Sequence, residues 1–236
     1  KTNQDSLAIK IADTPNGQVV FSLVCDGMGG LAKGEVASKE VITAFCNWFD
    51  TQFVEMVDNN SFSEELLRYQ WIRLAVEQNE KIKAYGEQNG FMLGTTISAI
   101  LIYREMYYIL HVGDSRVYEI TSGIRQLTAD QTLVAREIAA GRITPDSRRS
   151  VLLQCIGASP VVEPDFVVGQ AAPGAHYMLC SDGFRHKITP QEMIERLGPG
   201  TCVDEAKMKE GCEFLTELVK YRKETDNVTV VLIKSE

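Results

Sequence analysis

The chain has 236 residues, of which 44% are apolar and 24% charged, so it has the composition of a globular protein with a sizeable core. Its formal net charge of −8 is the wrong sign for a protein that binds nucleic-acid phosphates or an anionic membrane surface. No apolar stretch approaches membrane-spanning length and no signal sequence opens the chain. The six cysteines include no Cys-x-x-Cys pair, which favours reduced thiols and a cytoplasmic location.

The first third of the chain predicts a hairpin and two helices. Residues 7–12 alternate in polarity, residues 13–17 are turn formers, and residues 19–25 are an apolar run, as in a β-hairpin. A glycine loop follows, and then a helix whose predicted buried face consists of Ala37, Val41, Phe45 and Trp48. The pattern Ser61-x-x-Glu64 is a capping box and predicts a second helix. Its predicted buried face consists of Leu67, Trp71, Leu74, Ile82 and Tyr85.

From residue 95 onward the pattern changes to short strands. The predicted strands cover residues 95–103, 106–112, 117–121, 124–127, 165–168, 177–180 and 228–233. Helices are predicted from a cap at Thr128 to Gly141, from a capping box at Thr189, and across residues 203–222. Helices in consecutive pairs between groups of strands favour antiparallel sheets with helices packed outside. No linker or repeat interrupts this order, so we predict one domain covering residues 1–236.

Four acidic motifs stand at the ends of apolar strands. They are Cys25-Asp26-Gly27, Gly113-Asp114-Ser115, Ser181-Asp182-Gly183 and Thr225-Asp226-Asn227. A single Asp-Gly after a strand is ordinarily a turn. Four carboxylates that meet at one place repel one another unless a cation lies between them, and oxygen ligands suit Mg²⁺ or Mn²⁺. Because Gly27 lacks a Cβ, its backbone can approach such an ion closely enough for the carbonyl to bind.

These motifs belong to an ordered series that runs through the chain. In order it reads Asn3-Gln4-Asp5, Val24-Cys25-Asp26-Gly27-Met28-Gly29-Gly30, Gly34-Glu35-Val36-Ala37-Ser38, Gly94-Thr95-Thr96, Val112-Gly113-Asp114-Ser115-Arg116, Leu127-Thr128-Ala129-Asp130, Ile156-Gly157, Cys180-Ser181-Asp182-Gly183 and Asp226-Asn227-Val228-Thr229-Val230. The series resembles the metal-dependent protein phosphatases, the type-2C serine/threonine phosphatases, in their compact bacterial form. The resemblance implies an α+β fold, a four-layer αββα sandwich in which two antiparallel β-sheets are flanked by pairs of antiparallel helices.

The same resemblance implies a set of metal ligands. Asp26 looks like the carboxylate that bridges two central Mn²⁺ or Mg²⁺ ions, and Gly27 looks like a ligand through its carbonyl. Asp182 and Asp226 resemble the further direct ligands, and Asp5 resembles a ligand through water. The mechanism implied is attack by the metal-bridging water on phosphorus without a phosphoenzyme. Asp26, Asp182 and Asp226 would then be catalytic through that water, and no cysteine is needed as nucleophile.

Two further residues have implied roles at this centre. Asp114 resembles the ligand of a weaker third ion that it shares with Asp182. An ion pair with an arginine, or a turn-capping carboxylate, is the structural alternative for Asp114. Asn227 follows the terminal ligand and is expected to orient it by hydrogen bonding.

The chain departs from the family pattern at three places. Met28 stands where some eukaryotic relatives have a histidine that is a candidate general acid, and Met28 cannot donate a proton. Gln4 stands where others have glutamate, which removes a water-mediated contact to one metal. The family's phosphate-binding arginine would lie one position before Lys1. We therefore leave the substrate-binding residues unassigned, with Lys1 and Lys33 as weak candidates.

Residues 142–153 correspond to the family's flap beside the active site. This segment contains Arg142, Arg148 and Arg149. It is either a solvated basic loop or a lip that attracts acidic phosphopeptides.

The series of motifs therefore predicts a protein serine/threonine phosphatase. Its predicted partners are phosphorylated proteins that are targets of a Ser/Thr kinase, and we expect a monomer that binds neither nucleic acid nor membrane. One alternative is a catalytically weak or inactive family member that acts as a regulatory binding module, although the four aspartates are retained. Others are a phosphatase within an anti-sigma-factor switch and an unrelated two-metal nuclease, which the net charge of −8 disfavours.

Overall fold

The computed structural model describes residues 2–28, 33–142 and 151–235, which form nine strands, seven α-helices and one π-helical turn. The strands are β1 (Ser6–Thr14), β2 (Gly17–Cys25), β3 (Ile97–Tyr103), β4 (Met106–Val112), β5 (Arg116–Ile120), β6 (Ile124–Gln126), β7 (Asp165–Gln170), β8 (His176–Cys180) and β9 (Val230–Lys234). The helices are α1 (Gly34–Trp48), α2 (Val54–Asp58), α3 (Glu64–Asn89), α4 (Leu133–Ala139), α5 (Asp182–Arg185), α6 (Pro190–Leu197) and α7 (Glu205–Tyr221), with the π-helical turn at Phe49–Phe53. Within these ranges, no helix has the length and apolar character needed to cross a bilayer.

Both sheets are antiparallel throughout. The first has the strand order β1-β2-β3-β4-β7 and the second has the order β6-β5-β8-β9. The predicted first hairpin is confirmed: Thr14 pairs with Gly17, whose φ of 103° suits the tight turn. The predicted architecture of two antiparallel sheets with helices outside them is also confirmed.

Three apolar cores separate the four layers, because alternate residues of each strand point to opposite faces. The first core lies between the first sheet and helices α1 and α3, and includes Phe21, Leu23, Ala37, Val41, Phe45, Trp48, Leu67, Trp71, Ala99 and Leu110. The second lies between the sheets and includes Val24, Ile100, Ile109, Val117, Tyr177, Leu179 and Val231. The third lies between the second sheet and helices α5, α6 and α7, and includes Ile120, Met178, Phe184, Met193, Leu197, Leu215 and Val219.

The predicted faces of the first two helices are largely confirmed. All four residues predicted for the inner face of α1 are buried. On α3, Leu67, Trp71 and Ile82 are buried, but Leu74 is only half-buried and Tyr85 is 40% exposed. Tyr85 lies in the last turns of α3 and packs edge-on against Phe91 at a centroid distance of 6.0 Å.

Two predicted helix caps were wrong by a few residues. The first residue of α3 follows Ser63, whose hydroxyl accepts the Leu66 N–H, so Ser61 does not cap the helix. Likewise α4 begins after Thr132, while the Thr128 hydroxyl accepts the N–H of a strand residue in β5. In each case a second hydroxyl lies nearer the helix, and the extended backbone there suits an N-cap. The capping box at Thr189 is confirmed.

Candidate active site

An open cavity of about 630 Å³ lies where ends of the two sheets meet. Its walls carry Asp26, Asp114, Asp182 and Asp226, together with Met28, Thr96 and residues from the 152–160 segment. Asp26 follows β2 and Asp114 follows β4, so both come from the first sheet. Asp182 follows β8 and Asp226 precedes β9 in the second sheet. The structure therefore brings together all four acids that the strand-end pattern singled out.

The Asp26 backbone is fixed by hydrogen bonds to the two residues that directly precede β3. The Asp26 N–H donates to the Thr96 hydroxyl at 3.0 Å. Its carbonyl accepts from the Thr95 hydroxyl and from the Thr96 N–H, each at 2.9 Å. The Gly27 N–H donates to the Gln4 carbonyl at 3.2 Å, and a Cβ on Gly27 would lie 2.5 Å from that oxygen. Only glycine fits where the backbone of residue 27 comes this close to the N-terminal segment.

Asp5 and Asn227 lie where the N-terminal segment meets the loop before β9. One Asp5 carboxylate oxygen accepts from the Thr229 hydroxyl at 2.6 Å. The Asn227 side-chain oxygen accepts from the Gln4 N–H at 2.9 Å. The backbone N–H of Asn227, and not its side chain, donates to the Asp226 carboxylate at 2.9 Å. Asn227 thus links Asp226 to the chain segment that carries Asp5.

Asp182 is held close to the same loop by backbone contacts. The Ser181 N–H donates to the Thr229 carbonyl at 3.1 Å, and the Thr229 N–H donates to the Ser181 hydroxyl at 3.0 Å. A Cβ on Gly183 would lie 2.1 Å from the Asn227 carbonyl oxygen, so this position requires glycine. The motif Ser181-Asp182-Gly183 therefore packs directly against the loop that carries Asp226.

Burial and neighbouring charges disfavour the ionised forms of Asp26, Asp5 and Asp114. Burial raises the pKa of Asp26 well above its usual range, and the charges of Asp5 and Asp182 raise it further. Burial also raises the pKa of Asp5. Burial and the charge of Asp182 raise the pKa of Asp114 to about 6, although Arg185 opposes this. A cation bound here would relieve these costs.

The donor atoms fit a hard divalent cation. One carboxylate oxygen of Asp5 and one of Asp182 are buried without a hydrogen-bond partner among the described residues. Unpaired buried carboxylate oxygens are costly, and they are the ligands that Mg²⁺ and Mn²⁺ prefer. Within residues 2–28, 33–142 and 151–235, no three acidic, histidine or cysteine side chains already form a metal cage.

Two residues that the sequence did not single out contact these acids. Arg185, in the last position of α5, donates to the Asp114 carbonyl at 3.1 Å and lies 3.5 Å from its carboxylate. His186 lies between Asp182, at 3.6 Å, and Glu224, at 3.7 Å. Both residues follow Asp182 at the spacing of one helix face, three and four positions on, but this spacing does not indicate the contact of Arg185 with Asp114.

The departures from the family pattern are placed as follows. Met28 lines the cavity. The Gln4 side-chain amide donates to Glu35 at 3.2 Å. The Lys33 ammonium lies 5.1 Å from the centroid of the Phe91 ring. Lys1, Gly29 and Gly30 lie outside the described residues.

Only the ends of the predicted flap are described. Arg142 pairs with Glu137 through two hydrogen bonds of 2.6 and 2.9 Å. Residues 151–153 pair with residues 131–133, with Leu152 opposite Thr132. Arg148 and Arg149 lie outside the described residues.

The cysteines near the cavity are poor nucleophiles. Cys25 and Cys180 are fully buried, and burial raises the pKa of Cys25 well above its usual range. Burial likewise raises the pKa of Cys180 to about 12. Because the thiolate is the reactive form, neither residue suits covalent catalysis.

Sequence comparisons place these features in a known context. The sequence profile described as Protein phosphatase 2C matches residues 1–203. The serine/threonine protein phosphatase PstP of Mycobacterium tuberculosis is 33% identical over 218 residues, which cover 89% of this chain and 39% of that protein. The serine/threonine phosphatase stp of Listeria monocytogenes is 30% identical over 226 residues, which cover 91% of this chain and 84% of that protein.

Two solved phosphatase structures superpose on this chain over nearly its whole length. The serine/threonine phosphatase of S. agalactiae superposes with a TM-score of 0.82 at 27% identity, covering 100% of this chain and 94% of that one. The catalytic domain of PstP, solved in complex with 2 manganese ions, superposes with a TM-score of 0.75 at 28% identity. That comparison covers 98% of this chain and 99% of the PstP domain.

Proposed function

This chain belongs to the protein phosphatase 2C family of metal-dependent protein phosphatases, and we propose that it removes phosphate from phosphoserine and phosphothreonine side chains of proteins. The observation that carries this proposal is the cavity in which strand ends of both sheets present four aspartates. Two carboxylate oxygens, one on Asp182 in the cavity wall and one on Asp5 beside Thr229, have no hydrogen-bond partner among the described residues. A set of carboxylate oxygens is typical of sites that bind Mg²⁺ or Mn²⁺, and it is less typical of zinc sites or of sites with a nucleophilic side chain.

We propose that the centre holds two Mn²⁺ or Mg²⁺ ions. Asp26 would bridge them, and the Gly27 carbonyl, Asp182 and Asp226 would complete the direct protein ligands. Asp5 would contact an ion through water. Two such ions supply a water nucleophile at neutral pH and balance charge on the phosphoryl oxygens. The manganese in the PstP domain supports this assignment by analogy.

The remaining polar residues would position these ligands. Thr95 and Thr96 fix the Asp26 backbone through three hydrogen bonds, and this fixes the point from which the Asp26 carboxylate extends. Asn227 would hold Asp226 through its backbone N–H and tie the loop to Gln4 through its side chain. Met28 has no proton to donate, so the leaving alkoxide would take its proton from water.

We propose further that Asp114 and Asp182 share a third, weaker ion. Asp114 is 8% exposed and lines the same cavity as Asp182.

We infer that the substrates are phosphorylated proteins, such as targets of a Ser/Thr kinase, and that residues 1–236 act as one monomeric catalytic domain. The cavity is open to solvent, and its lining includes Leu152, Leu153 and Pro160, so it can admit a phosphorylated side chain from a larger molecule. The two sheets share one apolar core, which favours a single folding unit.

The proposed function predicts metal-dependent hydrolysis that does not use thiols. The purified chain should release phosphate from phosphoserine and phosphothreonine peptides with Mn²⁺, lose this activity in excess EDTA, and regain it when Mn²⁺ is restored. Treatment with iodoacetamide should leave the rate unchanged, because Cys155, on the cavity wall, is buried, as are Cys25 and Cys180. Duplex DNA assayed alongside should remain intact. Full activity in EDTA, or inactivation that follows alkylation of any of these cysteines, would contradict the proposal.

A further inference from the structure

Arg185 is a partly buried cation that contacts Asp114 of the acidic cavity. Its side chain is 13% exposed, and the same terminal nitrogen lies 3.1 Å from the Asp114 carbonyl, 3.5 Å from the Asp114 carboxylate and 3.7 Å from Asp130. The Arg185 Nε is buried with no hydrogen-bond partner in the described part of the chain. The guanidinium is thus held between two carboxylates without a full set of hydrogen bonds.

Asp130 does not need this arginine, because it already has a better partner. Arg116 binds Asp130 through two parallel hydrogen bonds of 2.7 and 2.6 Å. Gln126 donates a third hydrogen bond to Asp130 at 3.0 Å. Arg185 lies farther away, at 3.7 Å, and adds no hydrogen bond to this carboxylate.

Asp114, by contrast, depends on Arg185 for charge balance. The arginine nearest to Asp114 in sequence, Arg116, is engaged by Asp130 and by the Tyr118 hydroxyl at 2.7 Å. Among the ion pairs of the described residues, that with Arg185 is the only one that Asp114 forms.

Resting on the proposed function, we propose that Arg185 is a built-in counter-cation of Asp114 that weakens binding of a third divalent ion there. An ion shared by Asp114 and Asp182 would lie a few ångströms from the guanidinium, and like charges at that range repel strongly in a partly buried site. Arg185 and Asp182 are also three residues apart on α5, so they lie on the same face of that helix.

Counting bound Mn²⁺ tests this directly. The EPR signal of free Mn²⁺ reports how many ions each protein binds, and at what concentration, without an activity assay. Wild type should bind two ions tightly and a third weakly. Arg185→Gln should bind the third ion at least about tenfold more tightly, because a neutral side chain no longer repels it. Arg185→Lys keeps the charge and should resemble wild type.

Arg222→Gln is the matched control. Arg222 lies outside the cavity and forms an ion pair with Glu192 at a distance of 2.6 Å. Arg222→Gln therefore changes the net charge by the same amount as Arg185→Gln and should leave the affinity for the third ion unchanged. The double variant Asp114→Asn, Arg185→Gln should not show the tightened site. Arg185→Met replaces Arg185→Gln if melting shows the latter to be unfolded.

Unchanged or weaker third-ion binding in the neutral variant would overturn the inference, since Arg185 would then be neutral to the ion or orient Asp114 towards it. Equal effects of Gln and Lys at position 185 would also overturn it, because charge would not be the cause. Failure of wild type to bind the first two ions would instead contradict the proposed function.

Discussion

Asp182→Asn is expected to lower kcat/KM on a phosphoserine peptide by about 10³-fold or more, roughly 4 kcal/mol of transition-state stabilisation, while the protein stays folded. The amide has nearly the volume of the carboxylate, so packing should be preserved. One Asp182 oxygen has no hydrogen-bond partner among the described residues, so little internal bonding depends on it. Steady-state kinetics at saturating Mn²⁺, together with thermal melting of the same preparation, measures both effects.

Asp204→Asn is the matched control for this substitution. Asp204 caps α7 by accepting the Lys207 N–H at 2.8 Å, and asparagine caps a helix about as well as aspartate. The control therefore makes the same chemical change outside the cavity and should keep full activity. If Asp182→Asn retained more than a tenth of wild-type kcat/KM, Asp182 would not be a metal ligand.

Asp26→Asn is expected to change the stability of the protein in opposite directions with and without metal. In EDTA at pH 8 the variant should melt higher than wild type, because it removes a buried charge repelled by neighbouring carboxylates. A gain of roughly 1–3 kcal/mol is the scale of one buried unpaired group, or about 2–10 °C in Tm. In saturating Mn²⁺ the variant should melt lower than wild type, because it loses the bridging ligand.

The pH dependence of this gain has a defined sign. The folded-state pKa of Asp26 is raised, so the ionised carboxylate destabilises the fold at pH values above that pKa. The penalty shrinks as the pH falls below the raised folded-state pKa, and it disappears below the ordinary value of 3.8, where both folded and unfolded forms are protonated. The difference in Tm between variant and wild type in EDTA should therefore shrink from pH 8 towards pH 4.

When the variant is compared with wild type at each pH, the contribution of the buried histidines to the pH dependence of stability cancels. Burial lowers the pKa of His111 and His176, so both proteins lose stability equally as the pH falls through the ordinary histidine value of 6.5. Asp58→Asn, an exposed change on α2, should leave Tm unchanged with or without Mn²⁺. A metal-free Asp26→Asn protein that melts lower than wild type at pH 8 would contradict the proposed carboxylate cluster.

The sequence predicted those parts of the fold in which local pattern and tertiary packing agree. The hairpin of β1 and β2, the inner face of α1 and the capping box at Thr189 all follow from residues near one another in the chain. The π-helical turn at Phe49–Phe53 and the short α2 were not predicted. Phe49 and Phe53 stack at 5.0 Å and pack into the first core, so tertiary packing decides their conformation.

The site was predictable only in part for a similar reason. Strand-end aspartates are visible in the sequence, because each follows or precedes an apolar run beside a small or polar residue. The partner of Asp114 was not visible. Arg116 lies two residues away but pairs with Asp130, whereas Arg185 comes from α5, a helix of four residues that is too short to show a periodic pattern.

The most direct test of the proposed two-ion centre is anomalous scattering at the manganese edge from crystals grown with Mn²⁺. Two strong peaks are expected about 3.5–4 Å apart in the cavity, with an Asp26 carboxylate oxygen within about 2.5 Å of each. Asp182 and Asp226 should contact these ions directly. Manganese bound elsewhere, or a cavity without manganese in crystals of protein that is active with Mn²⁺, would contradict it.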